Sequence, residues 1–456
     1  MILEKIKSDG LAHLSYFVGS GGEAAVIDPR RDIDVYLDLA RQNGMRIIEV
    51  FETHRNEDLV SGAAALAEAT GATVRHGPNP AEPIAYAATV RDGDTFDIGE
   101  ARLTVTETPG HTDDSISIAI FDPAYGDGAV GVFTGDALFV GDVGRTDFYP
   151  DRKRDVAGLL FDSLRKILDL GDQAILYPAH GAGSVCGSGM ADREFSTLGH
   201  ERANNPRLQI SDRERFIDAK VAEHHYQPPY FRLMERLNLE GGSRSPRDLL
   251  PPPVGVEGIA GLGDAQLVDV RGISDFAGTH VPGAYCLPSD MLAAFAGWVL
   301  NPERDIILMA RDADQAEASV RTLARIGYDR VTGYHAGIVS VATRNRRFAS
   351  VPLVDTQDVK DRLSRQPDRW SLLDVRSIDE FEAGHIEGAL HAYVGQLPDA
   401  AESLAKNAPV TVMCGSGARA MIAASLLLRR GWTSVDVYFG SMKAWKAGGH
   451  ETVDGS

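Results

Sequence analysis

Glu52-Thr53-His54-Arg55-Asn56-Glu57-Asp58-Leu59-Val60-Ser61-Gly62 follows directly on an apolar run, Ile47 to Phe51, that reads as a buried strand. The string therefore puts His54 at the C-terminal edge of a strand, where layered α/β folds hold their ligands. Three further strand-like runs end in the same way, at Pro109-Gly110-His111-Thr112, Thr134-Gly135-Asp136 and Tyr177-Pro178-Ala179-His180. Four strand ends offer His, His, Asp and His. Around them short β-branched or apolar runs (Glu23 to Asp28, Arg46 to Glu52, Ala101 to Thr106, Gly131 to Thr134, Ala174 to Tyr177) alternate with helical patterns, which predicts an α/β domain over residues 1–240.

Two neutral imidazoles and one carboxylate on one face, with other positions open to water, oxygen and substrate, suit ferrous chemistry. His54, His111 and Asp136 make that set.

The 456 residues are about three times the usual length of one domain, so more than one core is expected. With 43% hydrophobic and 24% charged residues the chain has the balance of an ordinary globular protein. A net charge of -19, uninterrupted by any dense Lys/Arg cluster, disfavours nucleic acid and anionic membrane as partners. Neither a leader pattern in Met1 to Gly22 nor a run of ~20 apolar residues is present, which gives a cytoplasmic reading; homo-oligomerisation is left open. The three cysteines, Cys186, Cys286 and Cys414, are too scattered for a disulfide scaffold.

Residues 241–253, rich in Gly, Ser, Arg and Pro, read as a linker. Beyond it, Asp269-Val-Arg271 with Gly278-Thr-His280-Val-Pro-Gly283-Ala284 returns about a hundred residues later as Asp374-Val-Arg376 with Gly384-His385-Ile-Glu-Gly388-Ala389. Each half continues with a buried-strand run (Ile306 to Ala310, Val410 to Cys414) and a helix ending in Arg-Ile-Gly327 or Arg-Arg-Gly431. The chain holds a tandem pair, residues 254–350 and 351–456.

In the second copy Cys414 ends the strand and Gly415-Ser416-Gly417-Ala418-Arg419 leads into a helix. Small residues let backbone N–H groups turn toward the sulfur, while the helix N-terminus and Arg419 add positive potential, so thiolate or persulfide is favoured. The first copy has Ala310 where the second has Cys414, and without sulfur there is no covalent carrier. It is read as a degenerate copy kept for packing or for positioning the active one. Cys286 reads as a buried small hydrophobe. Cys186, in the Gly181 to Gly189 loop six residues past His180, is a candidate catalytic thiol.

The strand-end strings, in their order, resemble the metallo-β-lactamase superfamily, whose first motif reads Thr-His-x-His-x-Asp-His; Asn56 and Leu59 stand here at two of its histidines. The loss of Leu59 as a donor removes part of the second metal site of the two-metal hydrolases. His54, His111 and Asp136 coincide with the iron site of the persulfide dioxygenase branch, and Gly144-Arg145-Thr146-Asp147-Phe148 looks like a signature of that branch. The Cys414 loop and the Asp374 to Ala389 string resemble the rhodanese family; four residues between Cys414 and Arg419, one fewer than in related phosphatases, favour sulfur over phosphate.

The resemblance implies an αββα sandwich followed by two rhodanese-like α/β domains. It implies one Fe(II) per chain, with Zn as the alternative, held by His54, His111 and Asp136, and Asn56, Asp58 and His180 around them. Arg145 is expected to orient the substrate or to brace the metal shell. The substrates implied are a small-molecule persulfide and oxygen, with sulfite or thiosulfate as product or sulfur partner. Two rivals are kept: a zinc thioester hydrolase of the glyoxalase II type, and a non-enzymatic sulfur-responsive scaffold.

Overall fold

The computed structural model describes residues 1–8, 10–79, 82–184, 189–241, 250–342, 347–365, 369–397 and 406–455. It divides into two compact units, Met1–Arg247 with Ala324–Gly327, and Asp248–Leu323 with Tyr328–Ser456.

In the first unit the strands are β1 (Ile2–Ser8), β2 (His13–Ser20), β3 (Glu23–Ile27), β4 (Arg46–Glu52), β5 (Thr73–His76), β6 (Ala88–Thr89), β7 (Thr95–Ile98), β8 (Ala101–Glu107), β9 (Ile116–Phe121), β10 (Gly131–Gly135) and β11 (Ile175–Pro178). They form a six-stranded sheet, in the order β1 to β6, and a five-stranded sheet, β11-β10-β9-β8-β7. Period-two alternation sorts the side chains. Ala25 and Ile27 face inward with Tyr16, Val18 and Phe51 against Leu103, Ile118 and Phe133 of the other sheet. Ala24 and Val26 face outward, onto Tyr36 and Ala40 of the helix Asp34–Gln42 and Leu66 of the helix Ala63–Thr70. On the far side Val132 and Ala119 meet Leu160, Leu164 and Ile167 of the helix Lys153–Leu168. Each such large side chain, fully buried, contributes roughly 1.5–3 kcal/mol of transfer free energy. The layers are helix, sheet, sheet, helix: the expected αββα sandwich.

The second unit contains β12 (Gln266–Asp269), β13 (Tyr285–Cys286), β14 (Ile306–Ala310), β15 (Val331–Ala336), β16 (Leu353–Val354), β17 (Ser371–Asp374), β18 (Leu390–His391), β19 (Val410–Met413) and β20 (Val435–Tyr438). They make two parallel sheets, β13-β12-β14-β15 and β16-β20-β19-β17-β18. The repeat extends to side chains: Asp269 takes Arg271 at 2.6 Å and Asp374 takes Arg376 at 2.7 Å, while His280 stacks on Phe276 and His385 on Phe381. The copies touch through the indole of Trp298, packed on the turn at Gly395, and through the Cys286 N–H, which donates to Ser425 Oγ.

Much of the expected linker, residues 242–249, lies outside the described residues. Its end is ordered: the Tyr334 N–H donates to the Pro252 carbonyl and the Val254 N–H to that of Tyr334, so 252–254 run along β15. No helix among the described residues is long and apolar enough to cross a membrane.

Candidate metal centre and cysteine loop

The ends of β4 and β10 are drawn together by Gly135, whose φ is +54° and at which a Cβ would lie 2.6 Å from Thr53 Oγ1. No residue with a side chain fits there. His54, after β4, and Asp136, after β10, thereby converge with His111 on the β8–β9 loop: one donor atom from each lies within 4.8 Å of the others, and all three residues are buried. His54 Nε2 is 3.7 Å and His111 Nε2 3.5 Å from Asp136 Oδ2, too long for hydrogen bonds, and all three atoms are buried without a partner. Unpaired buried polar atoms are costly unless something pairs with them.

The surroundings fix which ring nitrogens are free. Thr53 Oγ1 donates to Asp28 Oδ2 at 2.8 Å and so accepts, at 2.9 Å, the proton on His54 Nδ1. His111 Nδ1 faces the Arg145 carbonyl at 3.1 Å and must donate to it. Both rings therefore turn an Nε2 lone pair inward. Burial pushes the His54 imidazole down to about 4, so it is neutral at neutral pH. For His111 burial acts in the same direction but is outweighed by Glu57 and Asp136, which raise it. The neighbouring imidazoles, His180 first, with its hydrogen bond, and then His54 and His111, hold Asp136 far below the usual carboxylate range against the effect of burial. Three inward donors, two nitrogens and one oxygen, fit a single divalent transition-metal ion.

His180 does not share that centre. It donates from Nδ1 to the other Asp136 oxygen at 2.7 Å, and its Nε2 lies 3.1 Å from Asp58 Oδ2, so it spans two carboxylates. Asn56 Nδ2 is 3.5 Å from the His54 carbonyl, and its Oδ1 is buried and unpaired. Leu59 is buried. Arg145, expected to orient the substrate or to brace the metal shell, forks its guanidinium onto Asp147 at 2.6 and 2.7 Å and reaches the Tyr226 carbonyl, while its main-chain carbonyl meets His111. Cys186 lies outside the described residues.

Sequence reading missed several neighbours. Asn238 donates to the carbonyls of Asn56 and Leu59 and accepts from the Ser61 N–H, pinning the motif loop from 177 to 182 residues away. Glu57 occupies a spacer position of the motif, yet its carboxylate is buried, with Oε2 3.7 Å from His111 Nε2.

In the second unit the carbonyls of Cys414, Gly415 and Ser416 accept N–H groups from Met442, Lys443 and Gly440, so the loop's own amides are free to turn toward the sulfur. The Gly417 N–H does so, at 3.1 Å from Cys414 Sγ. The Cys414 N–H donates to Ser441 Oγ, and Ala418 opens the helix Ala418–Arg429. Cys414 is itself buried. Arg419 is not a bare charge: it forks onto Glu380 at 2.6 and 2.7 Å, a partner that no local pattern announced. Ala310, at the equivalent place in the first copy, is buried in β14. Cys286 is also buried, which pushes its thiol up.

The metallo-beta-lactamase superfamily model matches residues 8–180, and the rhodanese-like domain model matches 256–343 and 355–448. The mitochondrial persulfide dioxygenase of Bos taurus is 28% identical over 225 residues, 48% of this chain and 73% of that protein. A hydroxyacylglutathione hydrolase of Tolumonas auensis is 30% identical over 168 residues, 36% of this chain and 60% of that one. Uncharacterized mycobacterial proteins match at 34% identity, and there the chain spans about half of their length, 46%. Among solved structures, a metallo-beta-lactamase from Staphylococcus aureus superposes with a TM-score of 0.67 at 29% identity, covering 74% of this chain and 99% of that one. The chain is a fusion of an N-terminal metallo-β-lactamase superfamily domain, homologous to persulfide dioxygenases, with two rhodanese-like domains.

Proposed function

We propose that the chain oxidises a low-molecular-weight persulfide to sulfite with oxygen at one iron, and moves sulfane sulfur through Cys414 to form or use thiosulfate, in sulfide detoxification. The observation that carries this reading is the convergence of three unpaired buried donors, His54 Nε2, His111 Nε2 and Asp136 Oδ2, in a chain with Leu59 at a second-metal position.

Iron, when bound, supplies a centre at which oxygen and the terminal sulfur of the substrate react. The balanced reaction is persulfide plus oxygen plus water giving thiol, sulfite and two protons. His54 and His111 hold the ion as neutral donors, and His180, with Asp58 behind it, fixes the second oxygen of Asp136 so that the first faces inward. In the second unit the Cys414 thiolate attacks the outer sulfur of thiosulfate or of a persulfide; that S–S bond breaks, sulfite or a thiolate leaves with the electron pair, and a Cys414 persulfide forms. The Gly417 N–H stabilises the charge on sulfur, and the reverse exchange delivers it.

Oxygen uptake with glutathione, coenzyme A and cysteine persulfides, alongside elemental analysis of anaerobically prepared protein, tests the reading. Uptake lost in His111→Ala and kept in Cys414→Ser is expected; full uptake in His111→Ala would overturn it. The likeness to a hydroxyacylglutathione hydrolase favours a second reading, zinc-dependent thioester cleavage. Two zinc ions per chain, thioester turnover and no oxygen uptake would establish that one instead.

A further inference from the structure

Residues 53–62, between β4 and the helix Ala63–Thr70, lie in no helix or strand, so their backbone groups need partners from elsewhere in the unit. Asn238 serves Asn56, Leu59 and Ser61, and the Gly62 N–H donates to the Pro29 carbonyl at 2.8 Å. The Val60 N–H donates to the carbonyl of Arg325 at 2.7 Å, and Arg325 belongs, with the rest of the short segment Ala324–Gly327, to the first unit. Arg325 is 7% exposed; its guanidinium forks onto Asp32 at 2.8 and 2.7 Å, while Arg31 Nη1 donates to the Ala324 carbonyl at 2.6 Å. Burial pushes the Asp32 carboxyl up, and the fork outweighs it and holds the group below the usual carboxylate range. One arginine thus ties the 29–32 segment to the motif loop. The equivalent arginine of the second copy, Arg429, instead lies over the Tyr285 ring at 3.6 Å, so the fork is not a by-product of the repeat.

We propose that Arg325 is a positioning residue for the iron site, acting through the Val60 N–H on Asp58 and from there on His180 and Asp136. The inference rests on the single-iron reading. Asp58 stands two residues before Val60; its Oδ2 lies 3.1 Å from His180 Nε2, and His180 Nδ1 donates to Asp136 at 2.7 Å. A loop released at Val60 moves Asp58, and His180 then no longer fixes the Asp136 carboxylate with one oxygen toward the two imidazoles.

The test uses the full chain, freed of metal. Hydrogen exchange over residues 55–62 reads the loop, Fe(II) titration against a competing chelator and the visible spectrum of the Co(II) protein read the site, and circular dichroism reads the fold. Arg325→Met and Asp32→Asn are each expected to speed exchange in that stretch, to weaken Fe(II) binding by about tenfold, to shift the Co(II) spectrum and to leave the circular dichroism unchanged. Arg325→Lys, which keeps the charge but not the fork, should fall between. Faster exchange with wild-type Fe(II) affinity and a superimposable Co(II) spectrum would overturn the inference and leave the three-donor site standing. If Arg325→Met fails to fold, the two milder variants decide, and wild-type affinity in both would overturn it. A wild type that binds neither ion would overturn the metal site and this inference together.

Discussion

Replacing Thr53 by valine isolates the support behind His54. Valine keeps the shape, so no cavity opens, but the hydroxyl is lost with the bonds it makes to Asp28 at 2.8 Å and His54 at 2.9 Å. The Thr53 N–H still donates to Asp28, at 2.7 Å. One carboxylate oxygen and one imidazole N–H are left buried and unpaired, at about 1–3 kcal/mol each, so the metal-free unit should lose roughly 2–6 kcal/mol, or on the order of 5–20 °C in Tm. The deficit depends on pH. Burial pushes the Asp28 carboxyl up to about 7 despite its bonds to Thr53. The hydroxyl stabilises the charged form most, so the loss should be larger at pH 8 than at pH 5, where Asp28 is protonated in the folded protein. With the imidazole free to turn, metal affinity should fall by about 10–100-fold. Urea unfolding at both pH values and chelator-competition titration measure these effects, with Thr53→Ser, which keeps the hydroxyl, as the control. A valine variant with wild-type stability at both pH values would refute the Asp28–Thr53–His54 chain as the device that sets the ring.

Glu380→Gln should slow sulfur transfer by freeing Arg419, as a thiosulfate-dependent transfer assay would read, with oxygen uptake unchanged. Glu380 is held down to about 2, against the effect of burial, by its bonds to Arg419; the stability from this half-exposed pair is present above the ordinary carboxylate range and lost as pH falls through about 2, so wild type and variant should converge in acid unfolding. Ser441, at φ +47°, accepts the Cys414 N–H. Ser441→Ala keeps the strained backbone and loses the bond, and Ser441→Gly relieves the strain, so thermal melts should place the alanine variant about 1 kcal/mol below the glycine one. Arg145→Met removes the partner of Asp147 from a site where Arg145 is 1% exposed, and should cost about 3 kcal/mol in urea unfolding.

What the sequence made legible was local. Strand runs ending in His54, His111, Asp136 and His180 could be read because β-period patterning and motif order lie within short windows. The duplication was visible in repeated strings, and the structure extends it to matching Asp–Arg forks and His–Phe stacks. What was not legible lies across long separations. Glu380 is 39 residues from Arg419 and Asn238 is 182 from Asn56, and neither carries a mark in its own neighbourhood. Arg145 was flagged by its string, yet which part of it works, carbonyl or guanidinium, depends on where Asp147 and Tyr226 stand in three dimensions. Glu57 was in plain view as a spacer, and only burial without a partner distinguishes it from a solvated acid.

The two rhodanese-like copies differ in the whole loop at the strand end and not only in the residue, Ala310 or Cys414, that begins it. In the second copy residues 415, 416 and 417 separate Cys414 from the helix at Ala418, and the carbonyls of Cys414, Gly415 and Ser416 are drawn off by the 440–443 segment. In the first, only residues 311 and 312 separate Ala310 from the helix at Ala313, and Gln315 occupies the turn. Its Oε1 takes the Arg311 N–H, its Nε2 donates to the Val270 carbonyl, and its main-chain N–H donates to Asp312. A loop one residue shorter, with an amide already spent on a side chain, has no ring of N–H groups to offer an anionic sulfur, and Asp312 adds negative charge beside it. Ala310→Cys in a Cys414→Ser background should therefore fold, since the added sulfur is small, and still show no thiocyanate formation from thiosulfate and cyanide. Sulfur transfer within about tenfold of the wild-type rate would mean that the amide cradle around Cys414 matters less than the presence of a thiol at a strand end.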